Sequence, residues 1–279
     1  MVHIITDSSS LYTSREARSA GFESVPLRIS IGGSDERDLL LDMEEYYGKI
    51  RQGMLPTSSQ PPLGDVIEAF EAHADPDSQI INISMADGLS GTYQTACSAR
   101  KMVKHQDRIA VFNSRTLCGP HRYMVQKAQE MKEEGRSFHE ILDWLEQASQ
   151  NTESFLIPQD FSFLRRGGRL TPLAAATGSV LKLKPVMKLT SDGKRLDKFS
   201  LKRTMSSAAD SVIQYLKEKK LNRNHILYIS HANAPEDAKK IKEMFERTFS
   251  ELEIRILELS AVFVAQGGPR CVAIQYIQR

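Results

Sequence analysis

Short apolar runs rich in β-branched residues alternate with amphipathic helical stretches through the first half of this chain. The predicted strands are Val2–Thr6, Ser24–Ile31, Gln79–Ser84 and Ile109–Asn113, and the predicted helices are Met43–Gln52, Leu63–His73, Ser90–Lys104, Pro120–Glu134 and a last one ending near Gln150. Parallel strands need a long crossover, usually a helix, so this alternation favours a parallel sheet. We therefore expect an α/β domain with helices on both faces of a parallel sheet.

The pattern changes after Phe155–Pro158. Asp192-Gly193 between two extended runs predicts a β-hairpin. Further helices and strands are predicted at Thr204–Lys220, Ile226–Ser230, Pro235–Phe249, Ile254–Leu259 and Cys271–Ile277. Antiparallel and helix–strand pieces together indicate an α+β domain. A chain of 279 residues is long for a single core. We therefore expect domains at residues 1–151 and 152–279, with a ligand tunnel between them.

Composition excludes several classes of function. The formal net charge is +2, which requires no nucleic acid partner. The three cysteines are widely spaced, so neither a disulfide framework nor a zinc site is expected, and no metal is predicted. Dinucleotide, Walker-type and zinc-hydrolase motifs are absent from the sequence, and we expect no cofactor. With neither a signal peptide nor an apolar run of spanning length, we expect a cytoplasmic protein without stable membrane insertion.

Ser90 lies where the predicted strand Gln79–Ser84 turns into a helix. A hydroxyl and unpaired backbone N–H groups at the start of a helix can bind a carboxylate or phosphate. The alternative is a helix cap, in which Ser90 accepts the N–H of Thr92 or Tyr93. Residues alone leave both interpretations open.

Ser58 stands in a polar loop, Ser58-Ser59-Gln60-Pro61-Pro62, before the next predicted helix. Capping again explains it. The loops at the carboxyl ends of adjacent parallel strands lie side by side, so Ser58 and Ser90 are predicted to face one ligand. The residues Asp7-Ser8-Ser9-Ser10 follow the first strand at the same edge, and a helix cap explains them equally well.

A serine-dependent hydrolase of small esters or acyl phosphates is the alternative function for Ser90. Against it, the motif G-x-S-x-G needs a glycine where this chain has Thr92. Such an enzyme also needs a general base within reach of the hydroxyl. His231 follows a strand, but a lone histidine there is more often structural or exposed.

The second domain carries a basic segment. From Arg165 to Arg203 there are eleven Lys and Arg residues against Asp192 and Asp197. Its start, Arg165-Arg166-Gly167-Gly168-Arg169, is either an exposed turn or a glycine-supported turn that aims guanidinium groups at a ligand. The whole segment is either a solvated face or a docking surface for an anionic ligand or a protein.

Six motifs in this order resemble the DegV family of bacterial fatty-acid-binding proteins. They are residues 4–10 (IITDSSS), 58–61 (SSQP), 88–94 (GLSGTYQ), 113–115 (NSR), 164–169 (LRRGGR) and 183–185 (LKP). Each motif is weak alone, and together they span nearly the whole chain. The resemblance implies a carrier without catalytic machinery of its own. Such a carrier buries a long-chain fatty acid and presents its carboxylate to a separate ATP-dependent fatty acid kinase, which makes the acyl phosphate used in phospholipid synthesis.

The resemblance also implies which residues bind the carboxylate. Ser90 and the N–H of Gly91 hold it, Ser58 replaces the usual threonine of the family, and Arg169 lies near the head group. Gln266 stands where the family has a histidine, and a glutamine can donate a hydrogen bond but carries no charge. Arg270 replaces a glycine, and it would restore the missing positive charge if it reached the head group.

An acyl ligand is also favoured by energetics. Burying a chain of about sixteen carbons at roughly 0.8 kcal/mol per methylene is worth over ~10 kcal/mol before association costs. The small apolar stretch Leu173–Leu181 is predicted to line the tunnel or, equally, to pack closely as a helix.

Overall fold

The computed structural model of the protein describes residues 1–176 and 183–279. Within those ranges, contacts between residues divide the chain into two compact units, Met1–Gln150 and Asn151–Arg279. Each unit has its own hydrophobic core. No helix in the described ranges is long and apolar enough to cross a membrane.

The first unit combines helices with a parallel sheet and a small antiparallel sheet. Its strands are β1 (Val2–Asp7), β2 (Glu23–Val25), β3 (Arg28–Ile31), β4 (Ser34–Arg37), β5 (Thr57–Ser59), β6 (Gln79–Ser84) and β7 (Ile109–Asn113). Its helices are α1 (Ser14–Ser19), α2 (Met43–Arg51), α3 (Leu63–Glu71), α4 (Thr92–Arg100), α5 (Cys118–Glu133) and α6 (Phe138–Gln150). Single 3₁₀ turns lie at Ser8–Ser10 and Gln106–Arg108.

The predicted parallel sheet is confirmed, with the strand order β2-β1-β6-β7. Helices α3 and α4 pack against it through a cluster that includes Phe70, Ile80 and Ala96. Helices α5 and α6 contact β1 and β6. Burying both faces explains why β6 reads as a continuous apolar run instead of alternating.

One predicted strand of this unit, Ser24–Ile31, is wrong as a single element. Pro26 divides it, because proline has no N–H to donate to a ladder. The part before Pro26 is β2, which pairs in parallel with β1. The part after it is β3, which forms the antiparallel sheet β4-β3-β5. The break therefore moves the chain from one sheet to another.

The second unit is a mixed sheet with helices. Its strands are β8 (Thr152–Ile157), β9 (Lys184–Leu189), β10 (Leu196–Lys202), β11 (His225–His231), β12 (Glu253–Glu258) and β13 (Val272–Gln278). Its helices are α7 (Phe161–Gly167), α8 (Pro172–Ala175), α9 (Met205–Glu218), α10 (Pro235–Glu246) and α11 (Ala261–Gly267). The strand order is β10-β9-β8-β13-β11-β12, in which β11 and β12 run parallel and the other neighbours antiparallel.

The predicted α+β character of this unit is confirmed. Strands β9 and β10 form the expected hairpin, and Gly193 adopts φ +71° in its turn. Side chains of α9 and α10, such as Val212 and Phe245, pack with Ile229 of β11 in one core. Residues 177–181 of the stretch predicted to line a tunnel lie outside the described residues. Of the remainder, Ala174 is buried and Leu173 is exposed.

Candidate functional site

Ser90 is half-buried in the turn between β6 and α4. The helix begins at Thr92 with Gly91 as its N-cap, so the prediction of a helix from Ser90 is wrong by two residues. The Ser90 hydroxyl accepts the N–H of Thr92 at 3.3 Å and shares a hydrogen bond with the Thr92 hydroxyl at 2.8 Å. Glycine offers no capping side chain, and the hydroxyl one residue earlier takes part of that role.

Backbone N–H groups at the start of α4 are further candidate donors beside Ser90. The first N–H groups of a helix have no acceptor within it. In the part of the chain that the structure describes, the N–H groups of Gly91 and Tyr93 make no hydrogen bond. An anion beside Ser90 would therefore meet a hydroxyl, two available N–H donors and the positive end of the helix dipole.

Ser58 lies in β5, an edge strand of the antiparallel sheet, so the prediction of a polar loop at Ser58 is wrong. β5 is the edge partner of β3, and Ser58 stands opposite Ile29 in the antiparallel register. The sequence did not predict this strand because Thr57-Ser58-Ser59 has no alternation of apolar and polar residues. The strand forms through its backbone hydrogen bonds with β3. The Ser58 side chain is half-buried.

Gln60 joins the Ser58 strand to the Ser90 turn within the first unit. Its side chain lies against Gly91: a Cβ at position 91 would stand 2.8 Å from Cδ of Gln60 and closer still to Oε1. Any larger residue at position 91 would therefore displace the exposed, flexible side chain of Gln60. Sequence patterns did not single out Gln60, although it stands in the Ser58–Pro61 motif two residues after Ser58.

Arg169 lies in the second unit, directly after α7. The helix ends at Gly168, whose φ of +70° is a left-handed cap. The Arg169 side chain is half-buried, and its guanidinium donates to the carbonyl of Gly167. The carbonyl of Arg169 accepts the N–H of Leu196 at 2.8 Å, which anchors the turn to β10. Burial, with Arg195 near by, lowers the pKa of the Arg169 guanidinium from its ordinary value.

Gln266 lies on α11 and packs against the same turn. A Cβ at Gly167 would stand 3.3 Å from Cδ of Gln266, so this glycine allows the two helices α7 and α11 to approach closely. The second unit therefore places Gln266 beside the Arg165–Arg169 turn. Arg165 and Arg166 on that turn are exposed, and Arg166 stacks over the Phe163 ring at 4.6 Å.

The Arg270 guanidinium, which was considered as a source of positive charge for the head group, is paired with an acidic side chain instead. Its guanidinium donates to the Asp237 carboxylate on α10 at 2.9 Å, and the side chain is exposed. The backbone at Arg270 keeps φ +60°, a left-handed conformation that glycine adopts without strain. Position 270 thus has a backbone conformation typical of glycine, and the positive charge of Arg270 forms an ion pair with Asp237.

A general base for Ser90 is not found among the described residues. Among the described residues, the Ser90 hydroxyl forms hydrogen bonds with Thr92 alone. The buried His121 is held by Ser9, Thr6 and the carbonyl of Ile83, and burial lowers the pKa of its imidazole. His231 accepts the N–H of Ala234 at 3.3 Å. This arrangement does not favour a hydrolase.

The described residues also contain no group of three or more His, Cys, Asp or Glu able to hold a metal.

Comparison with known proteins places the whole chain in one family. The sequence model described as "Uncharacterised protein, DegV family" matches residues 1–279. The chain belongs to the DegV family. A DegV domain-containing protein from Staphylococcus aureus is 29% identical over 282 residues, which cover 99% of this chain and 98% of that protein.

Solved structures of the DegV family share this fold. The structure of DegV from Bacillus subtilis, described as a fatty acid binding protein, is 27% identical with a TM-score of 0.86, covering 100% of this chain and 99% of that one. A DegV family protein from Thermus thermophilus, described by its fatty acid binding, is 23% identical with a TM-score of 0.90 over 100% of this chain and 99% of that one. At that identity the second likeness shows the fold alone.

Proposed function

We propose that this protein binds one long-chain fatty acid and presents its carboxylate to a separate ATP-dependent fatty acid kinase. Membership of the DegV family supports the ligand class, as does the likeness to the Bacillus subtilis protein described as binding fatty acid. The observation that carries the proposal is the contact of the Gln60 side chain, two residues after Ser58, with Gly91 of the Ser90 turn. Hydroxyl and N–H donors at one helix start suit a carboxylate.

The proposed carboxylate ligands are Ser58, Ser90 and the N–H of Gly91 in the first unit. The family motifs add Arg169 and Gln266 of the second unit to the proposed set. An uncharged Gln266 leaves the Arg169 guanidinium as the proposed source of positive charge, because Arg270 is paired with Asp237. A charge-assisted hydrogen bond is roughly twice as strong as a neutral one, so Arg169 should contribute more than Gln266.

The hydrogen bonds of Ser90 support the proposed kinase step. No general base is hydrogen-bonded to its hydroxyl among the described residues, which fits Ser90 as a binding group and not as a nucleophile. In the proposed reaction the kinase transfers the terminal phosphoryl group of ATP to a carboxylate oxygen, giving acyl phosphate and ADP.

The decisive experiment is extraction of the gently purified protein with organic solvent, followed by mass spectrometry. One fatty acid per chain is expected, and its mass also identifies the natural acyl chain. Protein that contains no fatty acid and takes up neither added oleate nor palmitate would refute the proposal. Incubation of the loaded protein with ATP and a fatty acid kinase should then produce acyl phosphate, whereas the loaded protein with ATP alone should not.

A further inference from the structure

The turn Ser8–Ser10 after β1 is deeply buried, although its residues are polar. Asp7 is 3% exposed, and Ser8, Ser9 and Ser10 are 1%, 0% and 0% exposed. Buried polar groups need hydrogen-bond partners, and leaving one unsatisfied is costly. The partners of these side chains therefore show which parts of the first unit the turn holds in place.

Asp7 holds the loop that leads to Ser90. One carboxylate oxygen of Asp7 accepts the N–H of Ser9 at 2.9 Å, within the turn, and the other accepts the N–H of Met85 at 3.0 Å. Met85 is the first residue after β6, at the start of the loop that ends at Ser90. The next residue, Ala86, donates to the carbonyl of Thr116 at 2.9 Å, so the loop is fixed at successive amides.

Ser8 holds the strand on which Ser58 is paired. Its hydroxyl donates to the Asp38 carboxylate at 2.9 Å and accepts the N–H of Leu27 at 3.0 Å. Leu27 in turn accepts the N–H of Asp38 at 2.8 Å, which closes a ring of three hydrogen bonds. Leu27 directly precedes β3, and Ile29 of β3 stands opposite Ser58. The position of β3, and with it that of Ser58, is thereby tied to the end of β1.

Ser9 fixes the turn itself. Its hydroxyl lies 2.9 Å from Nδ1 of His121, whose Nε2 lies 3.1 Å from both the Thr6 hydroxyl and the carbonyl of Ile83. His121 belongs to α5, so the turn is held between that helix and the sheet. Because its side chains are held by several hydrogen bonds, the turn is rigid, and it fixes the positions of the Ser90 loop and of β3.

From these contacts we propose that Asp7 and Ser8 are positioning residues for the head-group site, Asp7 acting through the Ser90 loop and Ser8 through the Ser58 strand. The inference rests on the proposed function, since it concerns the same carboxylate. Neither side chain touches the ligand in this proposal. Each keeps a hydroxyl at the place where the carboxylate needs it, and shifts well below 1 Å weaken a hydrogen bond.

The test compares two ligands that differ in the head group, oleate and oleyl alcohol, by titration calorimetry at constant pH. The variants are Asp7→Asn and Ser8→Ala, with Ser10→Ala as the matched control. Ser10 is buried in the same turn, but among the described residues its hydroxyl donates only to the carbonyl of Asp7, at 2.8 Å. We expect Asp7→Asn and Ser8→Ala each to weaken oleate binding about fivefold or more and to leave oleyl alcohol binding within about twofold. Ser10→Ala should alter neither affinity.

Double variants identify the route by which each residue acts. If Asp7 works through Ser90, then Asp7→Asn combined with Ser90→Ala should bind oleate no more weakly than Ser90→Ala alone, and Ser8→Ala with Ser58→Ala should behave likewise. The inference would be overturned if each double variant lost oleate affinity by the product of the two single losses. It would also be overturned if the single variants lost equal affinity for oleate and for oleyl alcohol, or if both bound oleate as tightly as wild type. If Asp7→Asn does not fold, Ser8→Ala decides by the same criteria. Wild-type protein that binds no oleate would instead overturn the proposed function itself, before any variant is measured.

Discussion

The carboxamide of Gln60 lies against the α-carbon of Gly91, in the space that any larger residue at position 91 would need for its Cβ. This contact links the strand that carries Ser58 to the turn that carries Ser90. Gly91 has φ −72°, which every residue adopts readily. A larger residue at position 91 would therefore displace the Gln60 side chain without straining the backbone.

Gly91→Ala should weaken fatty acid binding by displacing Gln60 from the Ser90 turn. In the double variant Gln60→Ala with Gly91→Ala the clash is removed, so the packing around position 91 should be restored. Any loss of oleate affinity that remains in the double variant is then the contribution of the Gln60 side chain. Gly64→Ala is the control, because a Cβ at Gly64 in α3 would meet no atom within 4 Å. We expect Gly64→Ala to raise stability by about 0.5–1 kcal/mol without changing the oleate affinity. Calorimetric affinities and urea unfolding measure both effects; equal oleate affinity in Gly91→Ala and wild type would contradict the prediction.

Ser90→Ala should separate the two interpretations of this hydroxyl. If Ser90 binds the carboxylate, its removal weakens oleate binding about tenfold, and stability falls by no more than about 1–2 kcal/mol, the usual worth of a cap. The control is Ser137→Ala, which removes the capping hydroxyl of α6 in the same unit. That variant should lose a similar amount of stability and keep its affinity. A large loss of stability in Ser90→Ala with unchanged affinity would show that the hydroxyl only caps the helix.

Much of the fold could be predicted because many of its strands, helices and turns are determined by short stretches of sequence. The apolar run at β6 and the Asp192-Gly193 hairpin each act over a few residues, and each appears as expected. What sequence patterns missed depends on partners distant in the chain. β5 exists because β3 pairs with it, and the Asp7–Met85 hydrogen bond joins residues 78 positions apart.

The candidate site divides in the same way. Ser90 could be singled out because a strand-to-helix junction is visible in the sequence. Gln60 could not, since its importance lies in packing on a glycine that belongs to another loop. The ion pair of Arg270 with Asp237 was equally hidden, because charge alone does not tell which way a long side chain turns.

Arg270→Gly should stabilise the protein and leave fatty acid binding unchanged. Glycine relieves the left-handed backbone at position 270, and the exposed ion pair that is lost is worth little, so we expect a gain of about 0.5–1 kcal/mol. Lys220→Gly is the matched control, since Lys220 is also exposed with a φ of +55°. Urea unfolding and an oleate titration test both statements. A clear drop in oleate affinity for Arg270→Gly would show that its guanidinium reaches the head group after all.

Stability should fall as the pH drops below about 6.5, and His121 should account for part of the fall. Burial lowers the pKa of His121 in the folded protein below the ordinary value of 6.5. The unfolded chain therefore binds a proton there more readily, so acid favours unfolding, with a slope of up to about 1.4 kcal/mol per pH unit for one proton. Burial also lowers the pKa of His3, His225 and His231, which add to the slope.

The contribution of His121 is isolated by comparing unfolding at pH 7.5 and pH 5.5 in His121→Gln and in wild type. The variant should be less stable at pH 7.5, because its hydrogen bonds to Ser9 and Thr6 are altered, yet it should lose less stability on acidification. His139→Gln, at an exposed position of α6, should retain the wild-type slope. A slope in His121→Gln as steep as in wild type would show that His121 takes up no extra proton on unfolding.

If a fatty acid kinase docks as proposed, Arg165→Glu with Arg166→Glu should weaken that docking and leave oleate binding unchanged. Both side chains are exposed on α7, at the start of the basic segment, so they are available to an acidic partner surface. The control pair is Lys239→Glu with Lys240→Glu, two exposed positions on α10 of the same unit. Surface plasmon resonance against a purified fatty acid kinase should show association slowed about tenfold or more for the arginine pair, with the loss reduced at high salt, and little change for the lysine pair. Equal slowing by both pairs would indicate a general effect of net charge, and unchanged association would place the docking surface elsewhere on the molecule.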